Sequence, residues 1–380
     1  MNILYLRNHA SKVNVNTYNL QEIGFSKALV DLGNNCDVVY YNDKNNVEIE
    51  DIYNNENNKL RIIWMNGIKI LDNGIYLKIL NKRFLEKYDI IITTEYIQIM
   101  TFLLTFLCND RLVLYHGPYK DQNRKLVQKL YDVLFLKRIK SIKNIFCKSE
   151  LAKEYLFEYK KMNQVKVIGV GLDNLKIDNS SFDGEERKII LDIKRKIENN
   201  KVLLYIGVLE ERRNILFLLD IFKYVLLRNE NTKFIIIGNG KDADKKKYFD
   251  YAKEIGVYNN LIYYEKMSQG SLKEIYSIAD VFLLPSRYEI FGMVLLESMY
   301  LGVPVISSYN GGSCTLIKNR VNGIIIDVFE VNKWGDTVLE LFNNEELCET
   351  ISKNSELTIK NEYLWDKIAK KILKYLNIRS

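Results

Sequence analysis

Residues 285–312, PSRYEIFGMVLLESMYLGVPVISSYNGG, carry the reading that decides the architecture. The preceding DVFLL, 280–284, is a short apolar run of the kind that forms a strand buried on both faces. A polar loop with Glu289 follows Pro285 and Ser286, and a helical pattern starts near Gly292, with Val294, Leu295, Ser298 and Met299 on one face. VPVISS, 303–308, then returns as another apolar strand. Gly292 has no side chain, so the backbone amides of Gly292, Met293 and Val294 can approach an anion with the helix dipole behind them. That is a phosphate seat. Glu297 lies farther along the helix, where a carboxylate can accept hydrogen bonds from vicinal ribose hydroxyls, while Glu289 sits before the seat. The two carboxylates bracket a diphosphate.

The same alternation runs the length of the chain. NILYL, CDVVYY, RIIWM, YDIIITT, RLVLY, KNIFCKS and VKVIGV read as strands in the first half, and KVLLYIG, KFIIIG, NLIYYE, DVFLLPS, VPVISS and GIIID in the second. Helical patterns between them imply an α/β protein with two parallel sheets. The polar segment 173–200 with its NSSFDG turn is expected to be a linker. The expected organisation is a first domain over 1–172, a second over 201–360 and a final helical segment over 361–380. In parallel sheets of this type the ligand sits at the carboxyl ends of the strands, so the motifs should gather there and the site should lie in a cleft between domains.

The bulk composition is compatible with this. A chain of 380 residues, 47% hydrophobic and 27% charged with three prolines, is long enough for two cores and too apolar for disorder. Five well-separated cysteines give neither an even disulfide framework nor a C-x-x-C zinc motif, which fits a reducing compartment. MNILYLRNHA enters a strand without the features of a secretory signal, so a cytoplasmic location is expected. IQIMTFLLTFLC, 97–108, is short of the roughly 20 residues of a transmembrane helix and reads as buried helix.

Taken together, Glu289, seven residues, Glu297, the strand ending in PS, the FG within the interval, ES after it and the later GVPVI and GG resemble the retaining glycosyltransferase family 4. The resemblance extends over nearly the whole chain and implies the GT-B fold, two Rossmann-like domains facing across a cleft, with the terminal helix of 361–380 crossing back onto the first. It also implies transfer of a sugar from a nucleotide-sugar donor without a metal or other cofactor. In that frame Phe291, Gly292, Met293, Val294 and Glu297 bind the donor, and Glu289 orients the reacting sugar. YIGVLEERRN, 205–214, resembles the family's first strand and turn of the nucleotide domain, with Gly207 at the turn and Arg212 and Arg213 as the cations for the donor diphosphate. The family commonly has Lys where Arg213 stands and often Arg where Val208 stands, which leaves open which arginine makes the main clamp. FIIIGNGKDA, 234–243, resembles the second strand and glycine turn, with Gly238 near the base and ribose.

Two other readings attach to that last segment: G-x-G-x-x-A is a dinucleotide fingerprint, and Asp242-Ala243-Asp244 is a DxD of the metal-holding sort. A dinucleotide fingerprint normally follows the first strand of its domain, and KDADKKK reads better as a solvated helix start. His116 closes RLVLY at the expected edge of the first sheet. The family frequently has a histidine there against the transferred sugar, and the alternative is a strand-end histidine satisfied by backbone. The loop after the first strand, RNHASKVNVNTY, lacks the glycine pair of the family, and Thr315 stands where many members have Glu. With two histidines in the chain a multi-histidine metal site is excluded.

The net charge of +7 is concentrated. Residues 120–166 hold 13 Lys and Arg against 5 Asp and Glu, a phosphate-attracting stretch in the acceptor half. Leu126, Leu130, Val133 and Leu134 recur at helical spacing, with Lys125, Lys129, Lys140 and Lys143 on or near their flanks. Such a stripe either lies in an anionic membrane interface or packs on the domain's own sheet. The partners implied are a UDP- or GDP-sugar donor, a glycan or lipid-linked acceptor and, under the first alternative, a membrane surface; no nucleic acid is implied. A sugar phosphorylase, a nucleotide-sugar epimerase and an inactive sugar-binding subunit are the competing readings on the same fold.

Overall fold

The computed structural model describes residues 1–15, 20–70, 73–120 and 125–377, apart from the side chains of Lys125 and Val127. It divides into two compact units, Met1–Gly171 with Tyr363–Ser380, and Leu172–Glu362.

In the first unit the strands are β1 (Asn2–Leu6), β2 (Asn35–Tyr41), β3 (Glu48–Asn54), β4 (Lys59–Met65), β5 (Ile68–Ile70), β6 (Asn73–Ile75), β7 (Ile90–Thr94), β8 (Leu112–His116), β9 (Asn144–Cys147) and β10 (Val165–Val167). All but β5 and β6 form one sheet in the order β10-β9-β8-β7-β1-β2-β4-β3. The direction in which successive strands are added reverses between β1 and β7, the topological switch point of a doubly wound fold. Every pairing is parallel except β3 with β4. Strand β3, EIEDIYN, is an exposed, acidic edge, so it lacks the apolar run by which buried strands are recognised in sequence. The helix Trp365–Tyr375 belongs to this unit. Trp365 lies against Phe25, and a Cβ added at Gly24 or Gly171 would collide with its ring, so both glycines are needed for that close approach.

The second unit has β11 (Lys201–Ile206), β12 (Thr232–Ile237), β13 (Leu261–Tyr264), β14 (Val281–Leu284), β15 (Val305–Ser307) and β16 (Ile324–Ile325). They form a parallel sheet ordered β13-β12-β11-β14-β15-β16, the Rossmann order, with its switch point between β11 and β14. Strand β14, VFLL, is buried along its whole length, as its unbroken apolar run requires.

The segment 173–200 is not an extended linker. It contains the helices Asn174–Asp178 and Gly184–Lys196, and it groups with the second unit. Asp173 and Asp183 cap the two helices through backbone amides, Ile177, Ile190 and Ile193 are buried, and Glu186 accepts a hydrogen bond of 2.9 Å from the Ser268 amide. Its polar composition belongs to the outer face of short amphipathic helices, which composition alone does not separate from a linker.

Candidate active site

The site of the second unit is built at the carboxyl ends of β11 and β14, on the two sides of the switch point. After β14 the chain runs through buried Ser286 to Glu289, 9% exposed, and turns at Gly292 (φ +79°) into the helix Met293–Tyr300. A residue with a side chain is strained at that φ, and a Cβ would also press on the Glu289 side chain, so glycine suits the turn twice over. The loop is held from behind by Gly311 and Gly312. The Gly311 amide donates to the Glu289 carbonyl at 3.0 Å, and a Cβ at either glycine would collide with the carbonyls of Ile290 or Phe291. Buried Asn310 fixes that second loop in turn, its Oδ1 accepting from the amides of Gly312 and Ser313 at 3.0 and 3.1 Å.

After β11, Gly207 lies under Gly238, where a Cβ would collide with the Gly207 carbonyl, and the Leu209 amide donates to Asn239 at 2.8 Å. The two glycine turns therefore continue side by side beyond their strands. From this base the chain places Arg212 and Arg213 next to Glu289. Arg213 forms a close ion pair with the Glu289 carboxylate, and its Nη1 lies 3.4 Å from Ser286 Oγ. Arg212 Nη1 donates to the Tyr288 carbonyl at 3.0 Å and sits 3.7 Å from Glu289 Oε2, while its Nη2 lies 2.6 Å from Glu210 Oε1. Arg213 is the more enclosed of the two, with a side chain 12% exposed against 40% for Arg212. Two guanidinium groups, an exposed one and an enclosed one, thus stand within a few ångström of the Glu289 carboxylate, three residues before a helix start whose first amides have no acceptor within the helix.

Glu297 is 4% exposed, and its Oε2 lies 3.2 Å from the Tyr276 hydroxyl, so tyrosine helps to orient it. Phe291 is 2% exposed, so its ring is part of the core and does not line the donor site as expected. Met293 and Val294 are partly exposed at the helix start, where the Val294 carbonyl lies 3.4 Å from the same Tyr276 hydroxyl.

In the first unit His116 ends β8, at the carboxyl edge, and is buried to 1% exposure. Its Nδ1 lies 2.7 Å from Glu95 Oε2, whose other neighbour is the Gly117 amide at 3.2 Å. Burial pushes the Glu95 carboxyl up, but the close approach of His116, the charge of Lys148 and the hydrogen bond from the Gly117 amide outweigh it and hold the group below its ordinary value. The imidazole stacks on Tyr155 at 6.3 Å and meets Tyr96 edge-on at 5.4 Å. Gln128 bridges the hydroxyls of both tyrosines at 2.8 and 2.7 Å, and Lys160 lies over both rings with its ammonium 2.7 Å from Asp132. The backbone-satisfied alternative for His116 is replaced by a carboxylate partner and an aromatic cage.

Residues 186–358 match the family of Glycosyl transferases group 1. This domain belongs to that family. The match takes in every site residue of the second unit, from Gly207 to Glu297 and on through Gly312. An uncharacterized glycosyltransferase of Methanocaldococcus jannaschii is 31% identical over 222 residues, 57% of this chain and 54% of that protein, so the match spans about half the relative's length. The UDP-Gal:alpha-D-GlcNAc-diphosphoundecaprenol alpha-1,3-galactosyltransferase of Escherichia coli is 26% identical over 287 residues, 73% of this chain and 72% of that one. The crystal structure of Anabaena HepE in complex with UDP and glucose superposes with a TM-score of 0.71 over 99% of both chains at 15% identity, which shows the shared GT-B fold.

Several residues of the glycosyltransferase domain's site were not legible as such. Glu210 adjoins the arginine pair in sequence and is a charge of the right kind to hold it, so proximity was an available signal. Ser286 lies in the PS that precedes Glu289, with nothing there to mark its contact with Arg213, and Tyr276 comes from the helix Gln269–Ser277 and carried no signal. Among the described residues no group of three or more His, Cys, Asp or Glu side chains has the arrangement of a metal site. Asp242 of the DxD lies in the first turn of the helix Asp242–Glu254, 99% exposed, 3.0 Å from Lys245. The turn at Gly238 follows β12, the second strand of its sheet, and not the first, as a dinucleotide fingerprint would.

Proposed function

We propose that the protein transfers a hexosyl group from a nucleoside-diphosphate sugar to a glycan or lipid-linked acceptor, with retention of anomeric configuration and without a metal. The observation that carries this is the gathering of Arg212, Arg213 and Glu289 at the switch point, directly before the helix that starts at Gly292. Leaving-group charge in such a transfer grows on the diphosphate, and two guanidinium groups with a helix N-terminus are a fixed, metal-free means of stabilising it. Glu289 orients the sugar through its hydroxyls, and Glu297 receives the ribose. Retention proceeds by attack on the face from which the diphosphate leaves, with a phosphate oxygen taking the acceptor proton. His116, braced by Glu95, hydrogen-bonds the transferred sugar.

A UDP-sugar is the preferred donor, in keeping with the UDP-galactose in the name of the Escherichia coli relative and the UDP bound by HepE. The diphosphoundecaprenol in that same name supports a lipid-linked acceptor and a role in surface glycan assembly. We place the enzyme on the cytoplasmic face as a peripheral protein, where a lipid-linked acceptor would be met. The test is binding and hydrolysis of a panel of UDP-, GDP- and ADP-sugars by the purified protein, followed by transfer to lipid-linked glycans. Failure to bind any of them would remove the proposal. Phosphorolysis or epimerisation of the free nucleotide sugar without acceptor would replace it with one of the competing enzymes.

A further inference from the structure

The helix Lys125–Ile139 turns its apolar stripe to solvent. Leu126, Leu130, Val133 and Leu134 are 82%, 60%, 80% and 57% exposed. The opposite face is the one the unit covers: Gln128, Tyr131 and Ile139 are buried, Tyr131 donates to the Tyr96 carbonyl at 2.9 Å, and Phe135 packs on Phe102 at 4.4 Å between ring centroids. The helix is thus apolar on two faces, and the domain uses one. The outer patch continues onto the helix Ile99–Leu107, where Phe106, 60% exposed, lies 4.5 Å beneath the guanidinium of Arg138, one turn beyond Leu134. An exposed apolar stripe of this sort marks an interaction site.

Charge selects the partner. Lys129, Lys137 and Lys140 are exposed on or beside the stripe, and none forms an ion pair among the described residues. The one acid of the helix, Asp132, is engaged by Lys160 on another side. A second copy docked through a two-fold axis would bring one lysine rim against the other, with like charges opposed. A lipid surface has no such conflict, because apolar side chains enter the acyl boundary while lysines meet anionic headgroups. We propose that this face docks the protein on an anionic bilayer, inserting Leu126, Leu130, Val133 and Leu134. The docking face supplies the membrane partner of the lipid-acceptor reading and rests on that reading for its purpose, although vesicle binding is measured without transfer.

The experiment uses the full chain and co-sedimentation with vesicles of phosphatidylcholine alone or mixed with phosphatidylglycerol, at low and high salt. Two variants are compared with wild type, Leu130→Asp with Val133→Asp, and Lys129→Glu with Lys137→Glu and Lys140→Glu. All five positions are exposed, and thermal unfolding verifies that both variants fold. Wild type should bind phosphatidylglycerol vesicles and release with salt. The lysine variant should bind at least about a hundredfold more weakly, from about 1 kcal/mol for each of the three basic residues lost with three acids added, and the aspartate variant should not sediment. Both should still hydrolyse or bind the nucleotide sugar as wild type does. Absence of wild-type binding at low salt, or equal binding by the variants, overturns the docking face. A wild-type dimer that the aspartate variant dissociates, without vesicle binding, overturns it in favour of self-association. Vesicle binding that follows these substitutions in a protein that binds no nucleotide sugar upholds the docking face while ending the transferase reading.

Discussion

The carboxyl ends of the two sheets hold their polar residues in opposite ways. In the second unit, Arg212, Arg213, Glu289 and Glu297 come from two stretches of 205–214 and 285–312, and the arginines reach Glu289 over short loops. In the first unit, His116 is enclosed by Glu95, Tyr96, Gln128, Tyr155 and Lys160, which come from a strand end, two helices and the turns around them. A phosphate site needs backbone amides and charges fixed by the turns that carry them, so each of its two stretches is set locally, although Arg213 and Glu289 lie 76 residues apart. A site that positions one imidazole is assembled from whatever surrounds it in space. The first kind keeps one guanidinium, Arg212, open to a charged ligand, and the second is enclosed on every side that the structure shows.

The sharpest test of this contrast is Glu289→Ala, expected to lower kcat by about a hundredfold, the scale of losing one preorganised electrostatic contact. Glu297→Ala should act chiefly on donor affinity, which separates the two carboxylates in a titration of rate against donor. Equal and negligible effects would show that the two glutamates do not bracket a donor. His116→Ala should cost roughly tenfold in turnover, the worth of one hydrogen bond to a sugar hydroxyl. A loss as large as that of Glu289→Ala would make the first unit an equal contributor and break the contrast.

Stability separates the loops further. Gly312→Ala forces a methyl group against the Phe291 carbonyl, and by the scale of overpacking it should destabilise by about 2–3 kcal/mol, read in denaturant unfolding. In the first unit the sign of a pH effect follows from Glu95. Its carboxyl is held below the ordinary value, so its ionised form stabilises the fold above the unfolded pKa, and that contribution is lost as pH falls through the folded value. Glu95→Gln should therefore lower Tm at neutral pH, and the gap to wild type should narrow on acidification. A constant gap would mean that the Glu95 charge is not what the His116 cage uses. The smallest effect is expected from EDTA: no loss of transfer, whereas loss restored by Mn2+ would return attention to Asp242 and Asp244.

Most of the second unit was readable because its signals are local. The uninterrupted run of β14, the glycine at φ +79° and the paired glycines behind Glu289 each act through their own backbone. Edge strand β3 was not readable, since an exposed acidic strand has no apolar period, and the helices within 173–200 were hidden in a polar segment for a related reason. Tyr276 beside Glu297, and the cage around His116, depend on contacts between distant parts of the chain.

The helix Lys125–Ile139 states the division most plainly. Its sequence by itself determined that Leu126, Leu130, Val133 and Leu134 share a face and that lysines flank it, because 3.6 residues per turn fixes which side chains are neighbours. Which face meets the sheet was settled only by tertiary structure. Tyr131, Phe135 and Ile139 give the helix a second apolar side, and that side fits Tyr96, Phe102 and the core, with the Tyr131 hydroxyl satisfied by two backbone carbonyls. Periodicity sets the spacing of a helix's faces, but its rotation about its own axis is chosen by the shape and hydrogen-bonding groups of what it packs against.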